Sequence, residues 1–496
     1  LESCYQYLPY KGAFYENQTL LASFSDEAQD SKDHLNGNIQ KWYEGLLSPT
    51  SNIISSTESS WSRSYEGIFK CNTFLENIVD TVNMKTLYLE NEERDAMIAQ
   101  VRVLRAFYYL QLIQQFGGVP VTSGRYEVGQ DLSQEGRQSF AKCVDYIIAD
   151  CEAALKATEL PNSISNRGFR WRMIQDSEQG KFTRAVACAI MSRAALFAAS
   201  PLWAENYNGT LKYTWTRAAT ITKKSLDLCL LNGYELFTNK TATAQNAYAS
   251  YFLATWNSTS DYETIYRRPS GQQSIWQYQG LPINQAVGQI RAGACPSQEL
   301  VDSYELFDKV TKKSVPLLVL SNPYNNGDHT KPNINPDAEN APFFYNENSA
   351  QAIYFMRDPR FVASIYFDST SYAIDTGIFI STRSGGNCEI SEKLNSDRNT
   401  RTGYYIRKFN DYRSNQNQNL DGYMSIFRLA ELYMNFAEAA YNAGNPDKLY
   451  LTIGISGIPS EVAANTAREA VNRIRDRVGL QLLPIGMSNT EFELRY

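Results

Sequence analysis

The sequence predicts a mostly α-helical protein in which helix pairs form a scaffold and one long loop-rich insertion interrupts them. Three observations carry this reading. Helical apolar spacing recurs through the first half, with Pro, Gly or Asn between the segments. Between 234 and 423 the chain turns irregular and rich in Asn, Ser, Gly, Pro and Tyr, and at Ser425 helical spacing returns. The expected organisation is an N-terminal helical scaffold over 1–233, an insertion over 234–424 and a C-terminal helix pair over 425–496, all in one integrated body.

The expected helices of the first half span 3–8, 61–79, 90–116, 139–157, 181–200 and 215–231. RVLRAFYYLQLIQQFGGVPV, from Arg102 to Val121, crowds four aromatics into ten positions. Val101, Leu104, Tyr108 and Leu112 share one face, and Val103, Phe107, Leu110 and Ile113 share another. A helix apolar all round must be covered on several sides, so its aromatics read as scaffold. Gly117 supplies a left-handed stop and Pro120 forbids continuation. GKFTRAVACAIMSRAALFAASPLW carries seven alanines between Lys181 and Pro201, small side chains that let stacked helices approach closely. SIFRLAELYMNFAEAAYNAGNP, from Ser425, ends in the small-residue, Gly and Pro pattern of tetratricopeptide-like helix pairs, and its partner helix is expected over 460–478.

A net charge of -6 and the lack of a basic patch argue against a nucleic-acid partner. The apolar runs 185–191 and 194–199 are broken by Ser192-Arg193, well short of the roughly 20 residues of a membrane helix. Eight scattered cysteines without a C-x-x-C read as buried free thiols. With only His34 and His329 in the chain, neither a metal site nor a cofactor is expected.

Several segments in fixed order resemble the SusD/RagB family of surface glycan-binding lipoproteins. They are Ser25-Asp26-Glu27-Ala28, the Leu104-Arg105-Ala106 to Gly117-Gly118-Val119-Pro120 helix, the alanine-rich helix ending Ala199-Ser200-Pro201, and Pro296-Ser297-Gln298-Glu299-Leu300-Val301-Asp302. Arg357-Asp358-Pro359-Arg360-Phe361, Thr402-Gly403-Tyr404-Tyr405-Ile406-Arg407-Lys408, Arg428-Leu429-Ala430-Glu431 and Val471-Asn472-Arg473-Ile474-Arg475 complete the series. The resemblance implies a non-catalytic protein that binds oligosaccharide or polysaccharide at the cell surface and delivers it to a SusC-like TonB-dependent outer-membrane transporter. It implies an N-terminal lipid anchor, although Cys4 reads as a packed helical thiol rather than the lipidated residue. The family's later motifs would follow Tyr496 and Leu1 falls inside an apparent helix, so the natural protein is expected to extend past both ends.

A sugar offers an apolar C–H face and a rim of hydroxyls, so its site needs flat aromatic rings flanked by polar side chains. Two amide-rich neighbourhoods supply them, matching where the resembled family carries its glycan loops. Trp42 and Tyr43 lie among Asn36, Asn38 and Gln40, and Trp276 and Tyr278 lie among Gln272, Gln273 and Asn284. The two tryptophans are expected to meet on one exposed face. Tyr324, in the polar turn Asn322-Pro323-Tyr324-Asn325-Asn326-Gly327, is a further candidate as a solvent-facing ring. Trp61, by its helical spacing with Tyr65 and Ile68, reads as core.

Three alternatives compete with this reading: peptide uptake within the same family, an α-helical glycoside hydrolase and a protein-binding tetratricopeptide-like scaffold. A hydrolase needs two carboxylates across a cleft. Glu431 and Glu438 share a helix face, but Arg428 three residues before Glu431 gives that glutamate a structural partner.

Overall fold

The computed structural model describes the chain apart from residues 9–14, 17–18, 33–37, 49, 51–60, 79–90, 123, 125, 127–128, 132–134, 160–167, 174–179, 205, 208–209, 242–243, 254–260, 268–277, 284–290, 341–353, 355, 374–376, 391–396 and 415–423. The fold is mostly helical. A one-turn helix α1 (Glu2–Tyr5) packs on α3 (Trp61–Ile78), while α2 (Asn38–Tyr43) lies against the turn Leu21–Phe24. From α3 onward each helix packs on the next: α4 (Asn91–Phe116), α5 (Phe140–Leu155), α6 (Arg184–Ala199) and α7 (Trp215–Leu231).

Local chemistry starts and stops these helices. Ser139, Thr183 and Thr214 cap α5, α6 and α7, their hydroxyls accepting from the N–H groups of Lys142, Val186 and Arg217. Gly117 ends α4 at φ +69°, the left-handed conformation expected of it. Every residue of α4 from Val103 to Ile113 is buried, covered by α1, α3, α5 and α6. Its tyrosines also satisfy their polar ends. Tyr108 donates to the Cys4 carbonyl at 2.6 Å, and the Tyr109 hydroxyl accepts from the Thr122 N–H at 2.8 Å. Arg184, though 2% exposed, donates to the Leu155 and Phe169 carbonyls and so secures the end of α5.

The array resumes beyond the irregular region as if that region were absent. Helix α7 packs directly on α12 (Leu429–Asn442), which also contacts α6 and α13 (Ala467–Asp476). Two boundaries differ from the sequence expectation. Helix α12 starts at Leu429 rather than Ser425 because Phe427–Arg428 pairs antiparallel with Thr264–Tyr266. Helix α13 starts at Ala467 because Thr466 caps it, and Glu469 reaches back to the Asn465 N–H at 2.6 Å.

Between α7 and α12 run short helices: α8 (Ala247–Leu253), α9 (Gln298–Ser303), α10 (Pro336–Glu339) and α11 (Pro359–Ser364). Small two-stranded pairings and separate apolar clusters, one around Leu281, Cys295, Tyr366 and Tyr405, support them. Buried carboxylates fasten this region to the last helices. Glu263 accepts from Arg428 and Arg477, and Glu305 accepts from Arg475 of α13 and from Arg495 of α14 (Asn489–Arg495).

Glu431 corrects one expectation. Its partner is Arg193 of α6, held through both carboxylate oxygens at 2.6 Å, while Arg428 turns to Glu263. All eight cysteines are free and buried, Cys4 on α1 among them. Among the described residues no helix is long and apolar enough to cross a membrane.

Candidate functional site

Trp42 and Tyr43 sit on α2, a short helix where the sequence suggested loop, and both are exposed, at 44% and 40%. Trp42 meets the edge of Phe24 with ring centroids 5.8 Å apart and planes at 75°, which fixes one end of its indole. Tyr43 is anchored by its hydroxyl, which donates to the Ser23 carbonyl and accepts from the Asp30 N–H, both at 2.9 Å. Leu21 and Leu46 are exposed on the neighbouring turns. The face is therefore aromatic, open to solvent and held from below.

The second neighbourhood is tied to this face by the strand Ala28–Asp30, which pairs antiparallel with Ala294–Pro296 and sets Asp30 opposite Ala294. Gly293, at φ +67°, makes the junction possible: a Cβ there would collide with the Tyr278 carbonyl and the Gln279 side chain. Its N–H donates to the Ser31 hydroxyl at 3.0 Å. Arg291 then links the two stretches. Its guanidinium is 3.7 Å from Asp30 Oδ1 and 3.3 Å from Asp397 Oδ2, and lies 6.0 Å from the centre of the half-buried Tyr278 ring. Burial raises the Asp30 carboxyl against the pull of the Lys32 N–H and Arg291, and burial lowers Arg291 against Asp30 and Asp397. These opposed shifts mark Asp30 and Arg291 as held away from water next to Tyr43, while Asp397 keeps part of its side chain exposed.

The remaining candidates fall differently. Trp276 lies outside the described residues. Tyr324 is buried rather than solvent-facing: its ring stacks on His329 at 4.4 Å, and its hydroxyl donates to Asp302 at 3.2 Å. The polar turn that suggested exposure folds onto α9. Trp61 packs against Tyr65 and Phe116, as its spacing indicated. Sequence reading missed Asp30, Arg291 and Asp397, whose proximity depends on long-range pairing across the chain rather than on any local motif.

A cleft walled by Phe252, Tyr366, Tyr372, Arg407 and Tyr412 is too small to take a sugar. Its free volume of about 20 Å³ suits roughly one water molecule. Among the described residues no group of three or more His, Cys, Asp or Glu side chains is gathered as a metal would require.

Comparison with known proteins agrees with the fold. The family model described as SusD family matches residues 252–493, and the one described as starch-binding associating with outer membrane matches residues 7–196. A SusD-like protein from Bacteroides fragilis is similar at a TM-score of 0.68 and 21% identity, covering 100% of this chain and 80% of that one. A SusD-like carbohydrate binding protein from the same organism gives 0.62 and 19%, with the same coverage. A laminarin binding SusD-like protein gives 0.53 and 18%, covering 100% of this chain and 86% of that one. No curated protein sequence matches closely enough to count as a relative. With stacked helices, an interrupting loop-rich region and two family models spanning most of its length, the chain belongs to the SusD/RagB family.

Proposed function

We propose that this protein is a non-catalytic, surface-exposed lipoprotein of the outer membrane. In this reading it binds an oligosaccharide on the Trp42–Tyr43 face and delivers it to a SusC-like TonB-dependent transporter. The observation that carries the reading is the exposure of two adjacent aromatics, stiffened by Phe24 and by the two hydrogen bonds of the Tyr43 hydroxyl. A ring held in place stacks on a sugar face with little ordering cost. Tyr278 and the Asp30–Arg291–Asp397 cluster border that face, and Trp276, two residues before Tyr278, completes the set of proposed contacts. Tyr324, covered by His329, is left out of the site.

The family descriptions support sugar binding and association with the outer membrane, and one similar structure is of a laminarin binding protein. Calorimetric titration with a panel of oligosaccharides, laminarin and starch fragments included, tests the reading beside peptides as controls. Saturable binding to one glycan class, weakened by Trp42→Ala, is expected. Binding of peptides with none of glycans would move the protein to peptide uptake. Co-purification with a TonB-dependent transporter from outer membranes tests delivery.

A further inference from the structure

Four cations from other segments gather around one buried phenol. Arg477 lies 4.9 Å and Lys408 5.5 Å from the centre of the Tyr248 ring, on α8, and Arg428 and Arg360 bear on the same hydroxyl. Two carboxylates are bonded to these cations, and both are fully engaged. Glu263 accepts from Arg428 at 2.9 Å and from Arg477 at 2.8 Å, while Asp358 holds Arg360 at 2.6 Å. Lys408 has no carboxylate partner among the described residues, and its ammonium rests over the Phe252 ring at 4.1 Å. The Nε of Arg477, on a side chain only 1% exposed, is buried without a hydrogen-bond partner. Among the described residues four positive charges thus face two negative ones, with a donor left over.

We propose that Arg360, Lys408, Arg428 and Arg477 form a binding site for a small oxyanion, such as sulfate, phosphate or the carboxylate of an acidic sugar. The chemistry fits on three counts. Guanidinium groups match the oxygens of such an anion in pairs, and Lys408 adds a mobile point charge. The Arg360 and Arg428 side chains are 26% and 28% exposed, so the cluster opens to solvent on one side. Phe252 and Tyr248 wall the other side and lower the local dielectric, which strengthens the attraction. The phenol registers the unbalanced field. Burial pushes Tyr248 up, but Lys408, Arg428, Arg477 and Arg360 outweigh it and bring it down to about 8.

This site shares no residue with the proposed glycan face and does not depend on it. The test titrates the full chain with sodium sulfate, sodium phosphate, monomeric galacturonate and acidic oligosaccharides, using chloride to hold ionic strength constant. Absorbance of the ionised phenol is followed alongside calorimetry, and Tyr248→Phe identifies the signal. Bound anion should raise the Tyr248 titration above 8, and Lys408→Gln should weaken binding about ten-fold or more. Binding of sulfate and phosphate as well as galacturonate supports a site for free oxyanions. Binding of acidic oligosaccharide alone makes the site the acid-recognising part of glycan capture. If no anion binds while one phenol still titrates near 8, the tyrosinate itself balances the cluster and the proposal falls. Trp42-dependent binding of neutral glycans would survive that outcome, so the two readings fail separately.

Discussion

Replacing Glu305 by Gln removes the charge that joins the loop-rich region to the last two helices while leaving the shape intact. Glu305 is 7% exposed and accepts from Arg475 at 2.7 and 3.2 Å and from Arg495 at 2.8 and 3.1 Å. Burial alone would raise its carboxyl, yet Arg475 and Arg495 outweigh it and hold the group at about 2 against an ordinary 4.5. At about 1.4 kcal/mol per pH unit, this is worth about 3 kcal/mol at pH 7. A depressed folded-state pKa gives stability that is complete above the unfolded value near 4.5 and is lost as pH falls towards 2. Urea unfolding of wild type and Glu305→Gln from pH 7 to pH 3 should therefore show a constant gap down to about pH 5 that narrows below it. No gap at pH 7, or one unchanged at pH 3, would refute the reasoning.

Trp42→Ala should weaken oligosaccharide binding about five-fold or more, because an aromatic platform is worth about 1 kcal/mol beyond its area. Its melting temperature should barely move, since a 44% exposed indole has few core contacts to lose; a sharp fall with unchanged affinity would place Trp42 in the core instead. Gly293→Ala should lower stability by more than about 1 kcal/mol by denaturant titration, through its positive φ and its collision with Tyr278. Incubation with the best-binding oligosaccharide should release no new reducing ends, and release abolished by mutating one carboxylate would restore the hydrolase reading.

The scaffold was legible in the sequence because its information is local. Apolar groups at helical spacing, hydroxyl caps at Ser139, Thr183 and Thr214, and the stop at Gly117 each act within one or two turns. Long-range pairing was not legible. Phe427 and Arg428 leave the helical pattern to meet Thr264–Tyr266, and Glu431 passes over Arg428, three residues away, for Arg193. The candidate site divides in the same manner. Trp42 and Tyr43 stood out as aromatics among amides, and they are exposed. The Asp30–Arg291–Asp397 cluster beside them gave no signal, because three polar residues far apart in sequence become neighbours only through strand pairing and through the Asp397 carbonyl, which accepts from the Ala292 N–H and the Ser31 hydroxyl. The expected exposure of Tyr324 is not met for a related reason: the composition of a turn does not reveal the surface it folds against.

Because every thiol is enclosed, the cysteines form a ready set of internal clocks. Cys4, Cys71, Cys143, Cys151, Cys188 and Cys229 lie in the scaffold core, and Cys295 and Cys388 lie in a cluster of the loop-rich region. An alkylating reagent can reach each one only when the surrounding structure opens, so its labelling rate reads the opening of that part. Burial pushes Cys151 well above its ordinary value and Cys388 up to about 11, which slows reaction further and ties labelling to exposure. Mass spectrometry of peptides labelled over time would rank the two cores by how readily each opens. Ligand bound to the loop-rich region should slow Cys295 and Cys388 while leaving the scaffold thiols at their own pace.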